Sequence, residues 1–145
     1  MDEINVGPDH SKVALRLNNL AQLFQATNRL ADAEPLLRRA LAIDEKHFGS
    51  GSSRVIATTT NLALLLSKTG RLEDAEEWGF SAAKLVTLDK LRSAIPLPTS
   101  DFSKVMEIYE HILQLRGKSR AEIAEKLTEL DAWAQAEIKQ GGTKQ

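Results

Sequence analysis

The amino-acid sequence predicts an all-α protein, a short solenoid of about six helices arranged in helix-turn-helix hairpins. Three observations support this fold class. Part of the chain is repeated after 42 residues, apolar residues within each repeat recur every three or four positions, and two more amphipathic segments follow a proline-containing break. The 145 residues are enough for one domain with its own core, and 42% hydrophobic with 27% charged residues is typical of a globular chain.

The repeat is clearest in two short stretches, NRLADAE at residues 28–34 and GRLEDAE at residues 70–76. When residues 13–40 are aligned with residues 55–82, twelve of the 28 positions are identical. A period between 20 and 50 residues is typical of architectures in which similar units stack on one another. We therefore expect each repeat to be one unit of a stack.

Each repeat has the apolar spacing of two helices joined by a turn. The apolar positions are Val13, Leu17, Leu20, Ala21 and Phe24 in the first helix and Leu30, Ala33, Leu36, Leu37, Ala40, Leu41 and Ile43 in the second. The turn falls at Asn28, and its counterpart in the second repeat is Gly70. These residue types best tolerate the left-handed conformation that ends a helix, so the turn is predicted independently of the apolar pattern.

The predicted boundaries place the two repeats at about 7–48 and 49–90, followed by a linker at 91–100 that contains Pro96 and Pro98. Residues 101–140 form a divergent capping hairpin, because no match at 42 residues is found there. Gly117 ends its first helix, and Ser119 with Glu122 forms a capping box that begins its second helix. Residues 141–145 are predicted to be a flexible tail.

The pattern LNNLAQLFQATNRLADAEPLLRRALAIDEKHFG, followed by TNLALLLSKTGRLEDAEEWGFSAAKL, resembles tetratricopeptide repeats. The 42-residue spacing is similar to that of the kinesin-light-chain-like and bacterial type, and the resemblance covers residues 7–90. In the second repeat Gly79 replaces Leu37, and we expect the neighbouring Trp78 and Phe80 to fill the space. The resemblance implies a non-enzymatic scaffold that binds a peptide segment of a partner protein in a concave groove lined by the first helix of each hairpin.

Polar residues in the first helices are the candidates for that groove. Asparagine is unfavourable in the middle of a helix because its side chain competes for backbone hydrogen bonds, yet Asn19 recurs as Asn61. An amide can bind a peptide backbone through both its donor and its acceptor. The resemblance implies that the peptide-binding residues are Asn18, Asn19, Gln22, Gln25, Thr60, Asn61 and Lys68, with apolar pockets near Leu15, Ala26, Ala57 and Leu64. The alternative is that the amides bind backbone groups between repeats and are structural.

No motif in the sequence predicts catalysis, so we expect a protein that is not an enzyme. His10, His47 and His111 are far apart in the chain, and Glu107 with His111 supplies too few ligands for a metal site. The segment GSGSSRV at 49–55 lacks the lysine of a phosphate-binding loop and is read as a turn between repeats. Neither a cofactor nor a metal is expected.

Charge and hydropathy exclude two further classes of partner. The net charge is −1 and basic residues alternate with acidic ones, so no nucleic-acid partner is predicted. The longest apolar run, LALLL at 62–66, is too short to span a membrane. The sequence contains no cysteine, and its N-terminus does not resemble a signal peptide. We expect a cytoplasmic protein whose partner is a protein or a peptide.

Two alternatives concern the ends of the stack. Residues 2–6 align with residues 44–48, the last turn of a second helix. Under one alternative the chain is the C-terminal fragment of a longer array or regulatory protein. Under the other it is an array whose first helix is uncovered. An uncovered apolar face would favour a homo-oligomer through the N-terminal repeat. Trp78, Phe80 and Trp133 are expected to belong to the core rather than to act as binding anchors.

Overall fold

The computed structural model describes residues 10–49, 52–92 and 99–143. Within these ranges the chain forms six α-helices and no strand. The helices are α1 (Ser11–Ala26), α2 (Leu30–Phe48), α3 (Ser53–Lys68), α4 (Leu72–Arg92), α5 (Thr99–Leu115) and α6 (Arg120–Thr143). The predicted fold class, an all-α solenoid of helical hairpins, is confirmed.

Local hydrogen bonds at the helix starts explain where several helices begin. The His10 Nδ1 accepts a hydrogen bond from the backbone N–H of Lys12 at 3.1 Å, and the Ser52 Oγ accepts one from Val55 N–H at 3.2 Å. At the start of α6 the Ser119 Oγ accepts from Glu122 N–H at 3.2 Å. Each side chain satisfies one of the backbone donors that a helix leaves unpaired in its first turn.

All three hairpins turn in the same way. Asn28, Gly70 and Gly117 have φ angles of 62°, 82° and 80°, the left-handed conformation predicted for the first two positions. The next backbone N–H donates to a carbonyl five residues earlier: Arg29 to Phe24, Arg71 to Leu66 and Lys118 to Leu113. The third turn lies 47 residues after the second, so a comparison at a spacing of 42 residues could not find it. The divergent hairpin is therefore built like the other two, with five more residues before its turn.

The helices stack in chain order, with α2 against α1 and α3, and α4 against α3 and α5. The first helices α3 and α5 also contact each other, and α6 packs mainly against α4. The largest group of buried side chains joins α1–α5 and includes Leu37, Leu62, Leu65, Leu66 and Ile112. Burial between hairpins therefore holds the stack together as much as burial within them.

Helix α5 packs closely against α4 at Gly79. A Cβ atom at Gly79 would lie 3.2 Å from Cδ1 of Tyr109 and 3.3 Å from Cδ1 of Ile112. The space left by the missing leucine is thus occupied by α5, and the expectation that Trp78 and Phe80 fill it is wrong. Both aromatic side chains are half-buried and pack at the edges of the neighbouring clusters of buried residues.

The structure revises two of the predicted boundaries. Helices α4 and α5 include residues 91–92 and 99–100 of the predicted linker, while residues 93–98 lie outside the described part of the chain. Helix α6 continues to Thr143, past the predicted end at residue 140, because glycine near the end of a helix costs only about 1 kcal/mol relative to alanine. The predicted tail thus begins within α6, and residues 144–145 are not described. The segment 1–9, with the alignment of residues 2–6, also lies outside the described residues.

Candidate functional site

An open cavity of about 250 Å³ lies between the first helices of the three hairpins. The lining residues come from α1, α3 and α5, and we call the surface that they form the groove. They are Gln22 from α1, Ser53, Ile56, Ala57, Thr60 and Asn61 from α3, and Lys104 and Val105 from α5. Helix α3 supplies most of the surface because it is the middle first helix of the stack.

The groove combines an apolar floor with a few polar side chains that have no partner among the described residues. Val105 and Ile56 are buried, and Ala57 is exposed beside them. The amides of Gln22 and Asn61 form no hydrogen bond with the described part of the chain, and Lys104 forms no ion pair there. A volume of this size is smaller than the roughly 300–1,000 Å³ of most small-molecule sites. It suits one or two side chains of a longer ligand.

The structure brings together three of the seven predicted peptide-binding residues: Gln22, Thr60 and Asn61 all line the groove. The Thr60 hydroxyl already donates to the Ile56 carbonyl at 2.7 Å, so Thr60 contributes shape rather than a free donor. Asn61 and Gln22 are the two predicted residues with unused hydrogen-bonding groups in the groove.

Asn18 lies at the contact between α1 and α3. Its Nδ2 donates to the Thr58 Oγ1 at 3.2 Å and to the Ala14 carbonyl at 3.4 Å. These bonds agree with the structural alternative, in which an amide links neighbouring repeats. The Asn18 Oδ1 is buried without a partner, and a role for Asn18 in peptide binding stays a prediction.

The other three predicted residues do not line the groove. Asn19 is exposed on the outer side of α1, Gln25 is half-buried near the end of that helix, and Lys68 is exposed in the last turn of α3. Of the predicted apolar pockets, the one at Ala57 lies in the groove, whereas Leu15 on α1 is exposed to solvent.

The contribution of α5 to the groove was not predicted from the sequence. Lys104 and Val105 come from the hairpin that showed no match at 42 residues, and Ser53 and Ile56 were not singled out on α3. The contribution of α5 could have been predicted from the turn residue Gly117. Aligning Gly117 with Gly70 brings α5 into register with α3, and Lys104 then aligns with Ala57.

Two ion pairs link α2 of the first repeat to the second repeat. Arg71 Nη1 lies 2.6 Å from Glu34 Oε1. Burial by itself would raise the pKa of Glu34, but the hydrogen bonds from Arg38 and Arg71 have the larger effect and hold the pKa below its ordinary value. Arg54 Nη2 lies 3.6 Å from Oδ1 of the fully buried Asp44. Burial raises the pKa of Asp44 although the charge of Arg54 opposes the rise.

Trp78 and Phe80 on α4 and Trp133 on α6 are half-buried. The Lys84 Nζ lies 4.9 Å from the Phe80 ring centre and 5.1 Å from that of Trp133, a cation–π arrangement. These aromatic side chains pack against the buried clusters and are already in contact with residues of the chain itself. They do not form part of the groove.

Within the described ranges, no three side chains of the histidine, cysteine, aspartate and glutamate types come together in a way that could hold a metal ion. None of the helices in this part of the chain is both long enough and apolar enough to cross a lipid bilayer.

A family model described as tetratricopeptide repeat matches residues 3–46 and, in a second placement, residues 14–85. Together these matches cover more than half of the 145 residues. No curated protein matches the chain in sequence. Among solved structures, the fold is similar to that titled "Crystal structure of BtubC (BKLC) from P. vanneervenii", with a TM-score of 0.73 and 21% sequence identity. The similarity covers 93% of this chain and 51% of that one, so this chain spans about half the length of that structure.

Proposed function

The chain belongs to the tetratricopeptide-repeat family, and from this premise we propose that it is a non-enzymatic scaffold that binds a peptide segment of a partner protein in the groove. The observation that carries the proposal is a pair of amides, Gln22 and Asn61, that line one cavity between successive first helices and have no partner among the described residues. A hydrogen-bonding group that the protein itself leaves unused is available to a ligand.

The residues of the groove suggest which peptides it accepts. The amides of Gln22 and Asn61 bind main-chain groups, which every peptide offers regardless of its sequence. The surface of Ile56, Ala57 and Val105 takes a small apolar side chain. Lys104 selects an acidic side chain next to it, because Lys104 is the only charged residue among the described residues that line the groove. The expected ligand is an extended segment with an acidic residue beside a small apolar one.

The test is a selection of displayed random peptides against the wild-type protein. It is repeated with a Gln22→Ala/Asn61→Ala double variant and with a matched control. The control is Asn19→Ala, which removes the same side chain one repeat earlier at an exposed position outside the groove. We expect the wild-type protein and the control to enrich the same motif, and the double variant to lose it while keeping its helical circular-dichroism spectrum.

A second variant, Lys104→Glu, tests the specificity. We expect the acidic position of the motif to be replaced by a basic one. A folded wild-type protein that enriches no motif would contradict the proposal. Equal losses in the double variant and in Asn19→Ala would place the binding surface elsewhere on α1.

Self-association through the N-terminal repeat stays a prediction. Leu20 and Leu23 are exposed on the outer side of α1, as that prediction requires. Helix α1 has no acidic residue, however, and carries Lys12 and Arg16. Two copies of this face would therefore bring like charges together, which disfavours a symmetric pair.

A further inference from the structure

The outer side of α1 has the residues of an interface between repeats but no helix against it in the described chain. Leu20 and Leu23 correspond to Leu62 and Leu65 of the second repeat, 42 residues later. Leu62 and Leu65 are 0% exposed, whereas Leu20 is 41% and Leu23 is 57% exposed. The same side chains are thus core in one repeat and surface in the other.

Helix α2 covers Leu62 and Leu65, and its contact surface is a short stripe. Leu37 and Leu41 belong to the same buried cluster as the two leucines of α3. Glu34 and Asp44 continue the stripe at its two ends, with spacings of three, four and three residues, which place all four side chains on one face of a helix.

The acidic ends of this stripe bind basic residues of the second repeat. Glu34 Oε1 lies 2.6 Å from Arg71 Nη1, and Asp44 Oδ1 lies 3.6 Å from Arg54 Nη2. The residues 42 positions earlier are Arg29 and Lys12, which are also basic and are exposed at the two ends of the uncovered leucines. Arg29 pairs with Asp32 as Arg71 pairs with Asp74, but Arg71 also binds the acid from the neighbouring repeat.

We propose that the outer face of α1, formed by Lys12, Leu20 and Leu23 with Arg29 at its end, is a docking site for a helix of another protein. That helix has the α2 stripe: an acidic residue, two leucines and a second acidic residue, in the pattern Glu-x2-Leu-x3-Leu-x2-Asp. The apolar centre and both charges of such a helix match the positions that α2 occupies on the second repeat. The proposal concerns a different face from the groove and does not depend on it.

Among the described residues, a second copy of this chain has no suitable helix. Its α2 stripe is buried by its own α3, so it is not available to α1 of another molecule. The last helix, α6, exposes Glu125, Thr128, Asp131 and Gln135 rather than leucines. These features favour a free helix of the α2 type from another protein over a second copy of this chain.

The probe is a synthetic peptide with the sequence of residues 29–49, labelled with a fluorophore. A side-chain cross-link between positions 35 and 39, on the face opposite the stripe, holds it helical because isolated helices of this length are marginal. Fluorescence anisotropy against the full chain is expected to show saturable binding. The Leu20→Glu/Leu23→Glu double variant should weaken it at least about tenfold, as expected for anchors at the centre of an interface.

The matched control is Leu115→Glu, which changes an equally exposed leucine at the end of α5. It should bind the peptide like the wild-type protein. Because Leu20, Leu23 and Leu115 are all exposed, each variant should keep the wild-type helical content by circular dichroism. A charge exchange tests the orientation: Lys12→Glu should weaken binding, and a peptide carrying Asp44→Lys should restore it in that variant alone.

Three results would overturn the proposal. The first is that the peptide does not bind at millimolar concentration. The second is that the Leu20→Glu/Leu23→Glu variant binds the peptide as tightly as the wild-type protein does, which would mean that the peptide displaces α2 and does not bind the outer face of α1. The third is a wild-type dimer, seen by analytical ultracentrifugation, that the double variant abolishes, which would assign the face to a second copy.

Discussion

The pair of leucines that the repeat places in different environments allows a direct test of the stack. Leu62 is fully buried among α2, α3 and α4, so Leu62→Ala removes buried carbon atoms and leaves a cavity. We expect it to lower the free energy of unfolding by about 3 kcal/mol, within the range for buried leucines. Leu20 is 41% exposed and solvent fills the space that its side chain leaves. Leu20→Ala should therefore cost only about 1 kcal/mol, from the apolar surface that remains buried.

The measurement is unfolding in urea, followed by circular dichroism and by the fluorescence of Trp78 and Trp133, which lie in α4 and α6. Coincident transitions are needed, because repeat proteins can unfold unit by unit and a single free energy then has no meaning. The prediction is a difference of about 2 kcal/mol between the two variants. Equal losses would refute the reasoning, because they would mean that the outer face of α1 is covered in solution.

Three further predictions concern the contacts between repeats. Gly79→Leu introduces the residue of the first repeat, but the leucine side chain would meet Tyr109 of α5. We expect it to lower the free energy of unfolding in urea by at least about 2 kcal/mol, and Gly79→Ala to lower it by less. Burial raises the pKa of Asp44 in the folded state, so the contribution of Asp44 to stability falls as pH rises above its ordinary pKa. The stability of Asp44→Asn relative to wild type should therefore increase from about pH 4 to neutral pH in chemical unfolding. The pKa of Glu34 is lowered instead, so its ion pair with Arg71 stabilises the fold at neutral pH and is lost as the carboxylate is protonated. The difference in stability between wild type and Glu34→Gln should therefore shrink below about pH 4. A difference that does not change with pH would contradict this role of the ion pair.

Local features of the fold were predictable from the sequence because they depend on residues close together in the chain. The apolar spacing of α1 and α2 and the left-handed turn at Asn28 or Gly70 each involve a few consecutive positions. The capping interaction between Ser119 and Glu122 is of the same kind. These features follow from helix periodicity and from the steric limits on φ, so no knowledge of distant contacts is needed.

The candidate site was predictable only in part, because a groove is made by helices that come together from different hairpins. Gln22, Thr60 and Asn61, three of the predicted residues, line the cavity between the first helices, and peptide binding by them stays a prediction. Lys104 was missed because five more residues precede the third turn and shift α5 out of the 42-residue register. The amide of the predicted residue Asn18 bonds to Thr58 across the contact between α1 and α3, a contact that the sequence alone does not show, and a role for Asn18 in peptide binding stays a prediction.

The repeat in the sequence thus establishes the helices, their turns and their order in the stack. It cannot establish the environment of a repeated residue, because identical residues 42 positions apart have different neighbours. Asn19 is exposed while Asn61 lines the groove, and Leu20 is exposed while Leu62 is buried. The difference arises because α2 lies against α3, while in the described chain no helix takes the corresponding place beside α1. Burial is a property of packing between hairpins, so only the tertiary structure decides it.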